Sequence, residues 1–462
     1  MMTESVWIKP EVENRDAQYF GVGLYSRVFA YVAIVLSVQI FRWSLYVAHG
    51  FDLGFYQQAL AAWVHEGIHA TSTYFPGPVL EHNDAWLMIF LAYPATWLGT
   101  GFLFFVETLI MALGYIPLAK LAKLWGLSPE SLMVIGGLYL LNPLVIAGNL
   151  YDFHMSLLAI PVLLWAFVLA QKSQLGPFTL TLLLFTGLGI HGTLVMVLFT
   201  LVLLLQKDRR FALVTFSVLI VWFLVLHLGF HLSWARWLLP GVYPLNFHIS
   251  MRTVLYSIWV VAPFLFAATL IVRHKAFYLS PYWIMALIGL SIHLFSSNLA
   301  QTSPFDQDSA WLVPLLLWAV MDTLRHFARV TWSKKAYGLI NAVLLGMLAL
   351  MALDFYHSAW RVRPQNTAAL TKALARVSLH HEIYAQNNVL PHLGMTPYAV
   401  PLSRLNPSRL GYEAQVIWDT QFSDHTTSAN VYAFLHTLSH SPKADIVFQD
   451  AGVIVFKMTA RH

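Results

Sequence analysis

The residues best suited to chemistry gather between Phe51 and Trp86, in the stretch FDLGFYQQALAAWVHEGIHATSTYFPGPVLEHNDAW. It carries the carboxylates Asp52, Glu66, Glu81 and Asp84 and the imidazoles His65, His69 and His82. A carboxylate held beside lipid can deprotonate a hydroxyl or hold a divalent cation. Asp52 is the first candidate, because Phe51, Leu53 and Gly54 around it suggest a tight, half-buried turn. The same aspartate could instead cap the helix that follows, with no chemistry at all. Glu81, His82 and Asp84 pair carboxylate with imidazole at a spacing that binds metal or shuttles protons, although an ordinary polar loop reads the same way. Asp52, Glu81 and His82 form the candidate metal set. A divalent cation is compatible with these residues and nothing in the sequence requires one.

Further along, YDFH (Tyr151–His154) places Asp152 and His154 at an expected outer turn, where they would share a cavity with Asp52. Asp52, Asp152 and His154 are the catalytic candidates, and a plain interfacial turn is the competing reading of YDFH. Glu107 stands inside an apolar run, where a carboxylate usually faces protein or a water-filled cavity. Arg42, Arg236 and Arg252 are the cations expected near the outer lipid surface; guanidinium binds phosphate oxygens in pairs, or snorkels to lipid headgroups. With His82, Asp84 and His191, the last of these in the break GIHG, Arg236 and Arg252 make up the candidate substrate-binding set.

The elements that must position these groups are mostly membrane helices. Of the 462 residues, 58% are hydrophobic and 11% are charged, with mean hydropathy +0.62. Soluble domains carry roughly 25% charged residues, so the chain reads as an integral membrane protein. Its Lys and Arg are scattered between apolar runs, which excludes the clustered basic face of a nucleic-acid binder. Cys is absent, which excludes disulfides and thiol chemistry. The N-terminal MMTESVWIKPEVENRDAQ lacks the apolar core and small-residue site of a cleaved signal peptide.

A helical span needs about 20 mostly apolar residues. That criterion places spans near 27–48, 102–121, 130–148, 154–171, 176–190, 193–206, 211–230, 253–272, 277–296, 310–324 and 336–355. The expected fold is an all-α polytopic bundle of about 11 transmembrane helices, with 1–26 as a cytoplasmic segment and 27–355 as the membrane domain. Residues 85–99 are short for a span and contain proline, so they are expected to lie along the interface within a first outer loop, 49–101. Within that loop, Tyr56, Leu60, Trp63 and Val64 recur at helical spacing opposite Gln57, Gln58, Ala61 and His65, the pattern of an amphipathic interfacial helix. With the N-terminus inside, fifteen Lys and Arg, from Lys9 to Lys335, flank the inner side, against Arg42, Arg236 and Arg252 outside. The expected setting is a bacterial inner membrane. Residues 356–462 would then form an extracytoplasmic α/β domain, with a helix at 367–377, strands in EIYAQ, YAVPL and QVIWD, and a terminal hairpin turning at Gln449–Gly452.

Several segments resemble domain-of-unknown-function family 2079 of predicted membrane proteins: FDLGFYQQAL, the His82 region into AYPATWL, LLNPLVIAGNLYDFH, SSNLAQ and AQNNVLPHLGMTPYAVPL, in the family's order. That family is distantly similar to the GT-C glycosyltransferases. The resemblance implies a GT-C-like bundle, a polyprenyl-phosphate-linked sugar as donor, and Asp52 as general base or metal-positioning acid. The chain departs from the family after the fifth span, where a charged Arg/Lys-Glu-Asp cluster is replaced by Ile190-His191-Gly192. The leading expectation is therefore a membrane glycosyltransferase acting at the outer face, with membrane lipid and a lipid-linked sugar as partners and no nucleic acid. A transporter or lipid-handling protein without catalysis is the alternative, and a scaffold recruiting a partner protein through the C-terminal domain is the third.

Overall fold

The computed structural model describes residues 20–48, 50–75, 77–82, 85–189, 192–230, 251–272, 280–294, 311–326, 334–360, 364–422 and 427–459. The chain opens with α1 (Val22–Ser44), which starts after Gly21 and is ended by Tyr46 in the left-handed region (φ 59°). It therefore begins and ends a few residues before the span expected at 27–48. After it come α2 (Gly50–Glu66) and α3 (Ile89–Leu98). Next is a span broken at Gly114 into α4 (Thr100–Leu113) and α5 (Tyr115–Leu124). Ser128 caps the following helix by accepting from the Ser131 amide, with Pro129 at its first position. This second span divides into α6 (Pro129–Leu140) and α7 (Pro143–Tyr151), because Pro143 cannot continue α6 and Asn142 caps the new start through Leu144 N–H.

The bundle continues with α8 (Ala159–Gln171), α9 (Leu175–Thr186), α10 (Gly192–Leu205), α11 (Arg209–Phe230), α12 (Met251–Val272), α13 (Pro281–Leu294), α14 (Leu312–His326) and α15 (Lys334–Trp360). Among the described residues, Val22–Ser44, Thr100–Leu124 and Pro129–Tyr151 are long and apolar enough to cross a membrane, alongside several shorter apolar helices.

The C-terminal domain begins at α16 (Pro364–Leu374) and holds β1 (Ile383–Ala385), β2 (Ala399–Pro401), β3 (Gln415–Asp419), α17 (Ala429–Leu438), β4 (Ala444–Asp450) and β5 (Val453–Met458). Its sheet runs β2-β1-β3-β5-β4. The first three strands are parallel (Ile383 opposite Ala399 and Gln415), and β5 and β4 are antiparallel. The terminal hairpin turns through Ala451 (φ 43°) and Gly452 (φ 85°), both on the positive side that a tight two-residue hairpin demands.

Two elements of the first loop behave differently from one another. Around α3, Phe90, Tyr93, Trp97 and Leu98 are exposed while Met88, Ala92 and Ala95 are buried, a one-sided apolar surface of the kind an interfacial helix presents. By contrast, α2 is not an amphipathic surface helix. Every residue from Leu53 to Trp63 is buried, Gln57 and Gln58 included. The polar face expected to meet water meets the C-terminal domain instead, so α2 is enclosed between the bundle and the sheet.

Candidate functional site

The site is built where α1, α2, α4 and the end of α7 meet. Asp52 lies within the first turn of α2 rather than ahead of it, so it is not the N-cap residue. At the end of α7 the chain leaves the helix into extended backbone at Asp152 (φ −172°) and His154 (φ −138°), then re-enters a short helical turn at Met155–Leu158. This break brings the His154 ring to Asp52, with Nε2 3.6 Å from Oδ2. The His154 side chain is 7% exposed and that of Asp52 27%, so the carboxylate is the member open to an incoming molecule. Tyr56 and Tyr151 lie edge-on or tilted against the imidazole, with ring centroids 5.8 and 6.0 Å away.

Tyr74 forms the other wall. Its hydroxyl rests on the α2 backbone at Gly54, where an added Cβ would stand 2.2 Å from the oxygen, so only glycine admits the phenol there. Burial pushes the Tyr74 hydroxyl well above the ordinary phenol range, and the Asp52 charge adds to the effect. Asp52 is thus flanked by a neutral phenol and an imidazole.

Asp152 is buried and lies within electrostatic reach of Arg42 in the last turn of α1 and of Glu107 in α4. Glu107 is fully buried and its Oε1 accepts a hydrogen bond from the His154 backbone N–H at 2.9 Å. Beneath these residues, Thr108 of α4 donates to Gln39 of α1 (2.8 Å) and to Asn149 of α7 (3.1 Å), and Asn149 donates to Tyr31 (3.1 Å). Gln39 in turn donates to the Asn149 side chain and carbonyl. Hydrogen bonds between helices in a membrane contribute about 0.6 kcal/mol each. The network therefore fixes the register of three helices more than it raises stability.

The C-terminal domain packs against α2 and the end of α1 beside the site. Gln57 donates to Thr100 (2.6 Å) and to the Pro391 carbonyl (3.0 Å). Gln58 donates to Thr73 and to the carbonyls of Pro397 and Ala399, while its own oxygen accepts from Ser72 and the Thr73 amide. Arg404 donates to the Tyr74 carbonyl (2.8 Å). His392 stacks on Trp43 and Tyr46, with ring centroids 4.7 and 3.8 Å away. Burial drives the His392 imidazole down to about 3, opposed by a backbone hydrogen bond with Trp43.

Of the residues singled out in the sequence, Asp52, Asp152, His154, Glu107 and Arg42 are drawn to one end of the bundle. Glu81 and His82 stand on a single helical turn, Val79–His82, their side chains outside the described residues; Asp84, His191 and Arg236 lie outside them altogether. Arg252 is in the first turn of α12, its side chain likewise not described. Among the described residues no group of three His, Asp or Glu is arranged to hold a metal ion; of the candidate metal set Asp52, Glu81 and His82, only the Asp52 side chain is among them. Sequence reasoning overlooked Tyr74, Gln39, Thr108, Asn149 and His392. Gln39 and Asn149 were findable as amides inside apolar spans. Tyr74 and His392 carry no local signal, because their partners lie far away along the chain.

Residues 42–235 match a family described as predicted membrane protein (DUF2079). No curated protein matches the chain in sequence. Two solved structures share its architecture over nearly the whole length. ArnT from Cupriavidus metallidurans bound to undecaprenyl phosphate superposes with TM-score 0.57 at 12% identity, covering 93% of this chain and 97% of that one. The apo state of the same protein gives TM-score 0.56 at 12% identity, with 94% and 98% covered. At that identity the likeness is one of fold. Together with the apolar helices and the small C-terminal sheet, it makes this chain a membrane-embedded protein of GT-C-like architecture, similar over residues 42–235 to the DUF2079 family.

Proposed function

We propose that the protein is a membrane glycosyltransferase that moves a sugar from a polyprenyl-phosphate donor to an acceptor hydroxyl at the outer face of the inner membrane. The observation that carries this reading is the Asp52–His154 pair, a half-open carboxylate backed by a buried imidazole at one end of a GT-C-like bundle. The solved relative in fold holds undecaprenyl phosphate, which favours a lipid of that class here.

Asp52 takes the proton from the acceptor hydroxyl as that oxygen attacks the anomeric carbon. The bond from that carbon to the phosphate oxygen breaks, and its electrons leave with the lipid phosphate. His154 orients Asp52, and the Tyr74 phenol keeps water from the far side of the carboxylate. Arg236 or Arg252 holds the departing phosphate in this reading, and Arg42, within electrostatic reach of Asp152, adds positive charge at the same end of the bundle. A positioned base contributes about 10²–10⁴-fold, and cations aimed at the leaving charge add to it. Residues 27–355 act as the catalytic membrane domain and 356–462 as its outer cover. No step is assigned to a metal.

The test uses the whole protein in lipid nanodiscs with a panel of undecaprenyl-phosphate sugars and a panel of hydroxyl acceptors that includes membrane-lipid extract, reading the release of undecaprenyl phosphate. Release by the wild type and a drop of about 10²-fold or more in D52N support the reading. Absence of release with every donor overturns it.

A lipid-handling role without chemistry has one observation in its favour, the fully buried Glu107 within a span. It predicts that labelled undecaprenyl phosphate crosses vesicles containing the protein, equally in wild type and D52N, with no sugar released.

A further inference from the structure

We propose that Glu107 is the positioning residue of the site: its carboxyl holds the Asp152–His154 turn so that the His154 ring meets Asp52. This rests on the glycosyl-transfer reading for its consequence but not for its geometry.

Where α7 ends, Asp152 and His154 adopt extended backbone, so the His154 N–H has no acceptor from a preceding helical turn. His154 is also buried, and a buried amide next to lipid needs a partner from elsewhere in the fold. Glu107 Oε1, from α4, supplies it at 2.9 Å across 47 residues of sequence. The hydrogen bond acts on the same residue whose ring stands 3.6 Å from Asp52. Two further observations mark this carboxyl as more than a core polar group. Its second oxygen, Oε2, is buried with no hydrogen bond of ordinary geometry, a cost that an apolar residue at this position would avoid and a glutamine amide would not. Gln39 of the interhelical network also lies beside it, so α1, α4 and α7 converge on the group that fixes the turn.

Glu107 touches neither donor nor acceptor and acts through His154. The informative variants are E107Q, which keeps an acceptor oxygen at the same reach, and E107M, which keeps the length and removes the acceptor. Full-length protein labelled with ¹⁵N-histidine is placed in nanodiscs, and the His154 ring signal is recognised as the one missing from H154Q. D52N is expected to move that signal in the wild-type and E107Q backgrounds and to leave it unmoved in E107M. In the transfer assay, E107M is expected to lose about tenfold or more in kcat with KM for the lipid-linked sugar little changed, and E107Q to restore most of it. The same D52N-dependent movement in E107M overturns the proposal, as does its loss in folded E107Q; the second outcome decides the matter even where E107M does not fold. If the wild type releases no undecaprenyl phosphate while the spectroscopic pattern holds, the transfer reading falls and the positioning role stands.

Discussion

Asp52 and His154 form a pair whose members do different things, and substitution should reveal it. H154Q leaves the carboxylate in place but removes its orienting partner, so transfer is expected to fall by about tenfold to 10²-fold, less than in D52N. Because both changes strike one interaction, D52N/H154Q should be no slower than D52N alone, as read by undecaprenyl phosphate release. His392 supports a prediction of another kind. Its imidazole is held near 3 when docked, against about 6.5 when free in the unfolded chain. The unfolded state therefore takes up its proton first as the pH falls. The stabilisation from His392 is complete above pH 6.5 and declines on acidification toward 3, by about 2 kcal/mol at pH 5. Thermal melts between pH 7.5 and 5 should show this loss in the wild type. They should show a shallower loss in H392F, which keeps the stack on Trp43 and Tyr46 without a titrating nitrogen.

Among the helices, α2 ties the site to the C-terminal domain. It carries Asp52 at one end and, through Gln57 and Gln58, binds the C-terminal domain along its length. Q58L would leave the Ser72 hydroxyl, the Thr73 amide and the Pro397 carbonyl without their common partner, while the Ala399 carbonyl keeps the Thr73 hydroxyl. These groups are only partly buried, so the loss is expected at the low end of about 1–3 kcal/mol, and limited proteolysis should release the sheet domain faster. Gly54 gives a sharper test. G54A drives a methyl into the Tyr74 hydroxyl and should lower the melting temperature through about 1–3 kcal/mol of overpacking. G54A/Y74F should recover much of that loss, because removing the oxygen leaves the ring carbon at 3.3 Å. If the double variant is no more stable than G54A, the close approach of phenol and helix is not what excludes a side chain there.

The whole molecule places the sheet domain over one end of the bundle, and the chemistry proposed needs that end to be extracytoplasmic. Absence of Cys makes this directly measurable. A single cysteine at exposed Ser408 in the C-terminal domain should react with a membrane-impermeant maleimide in spheroplasts. One at exposed Gln174, between α8 and α9, should react only after the membrane is opened. The reverse pattern would place the site on the cytoplasmic side and end the proposal of outer-face transfer.

Much of this was already written in the order of residues. Apolar runs of spanning length, the strands of the C-terminal domain and the Ala451–Gly452 turn are local properties of backbone and hydropathy, so they were legible one segment at a time; the Asn142–Pro143 break, inside the span expected at 130–148, was passed over. The surroundings of α2 were not. Gln57 and Gln58 look like a wet face until the sheet domain, more than 300 residues later, is folded onto them. The approach of His154 to Asp52, of Tyr74 to Gly54 and of Glu107 to the His154 amide depended likewise on long-range packing. Residue order is enough to specify a membrane bundle with acidic and imidazole groups at its helix ends and a small α/β cap, because burial in lipid and hydrogen bonding within a helix are settled residue by residue. Tertiary structure alone decided which of those groups meet, since a distance of a few ångströms between residues a hundred positions apart exists only once the helices have packed.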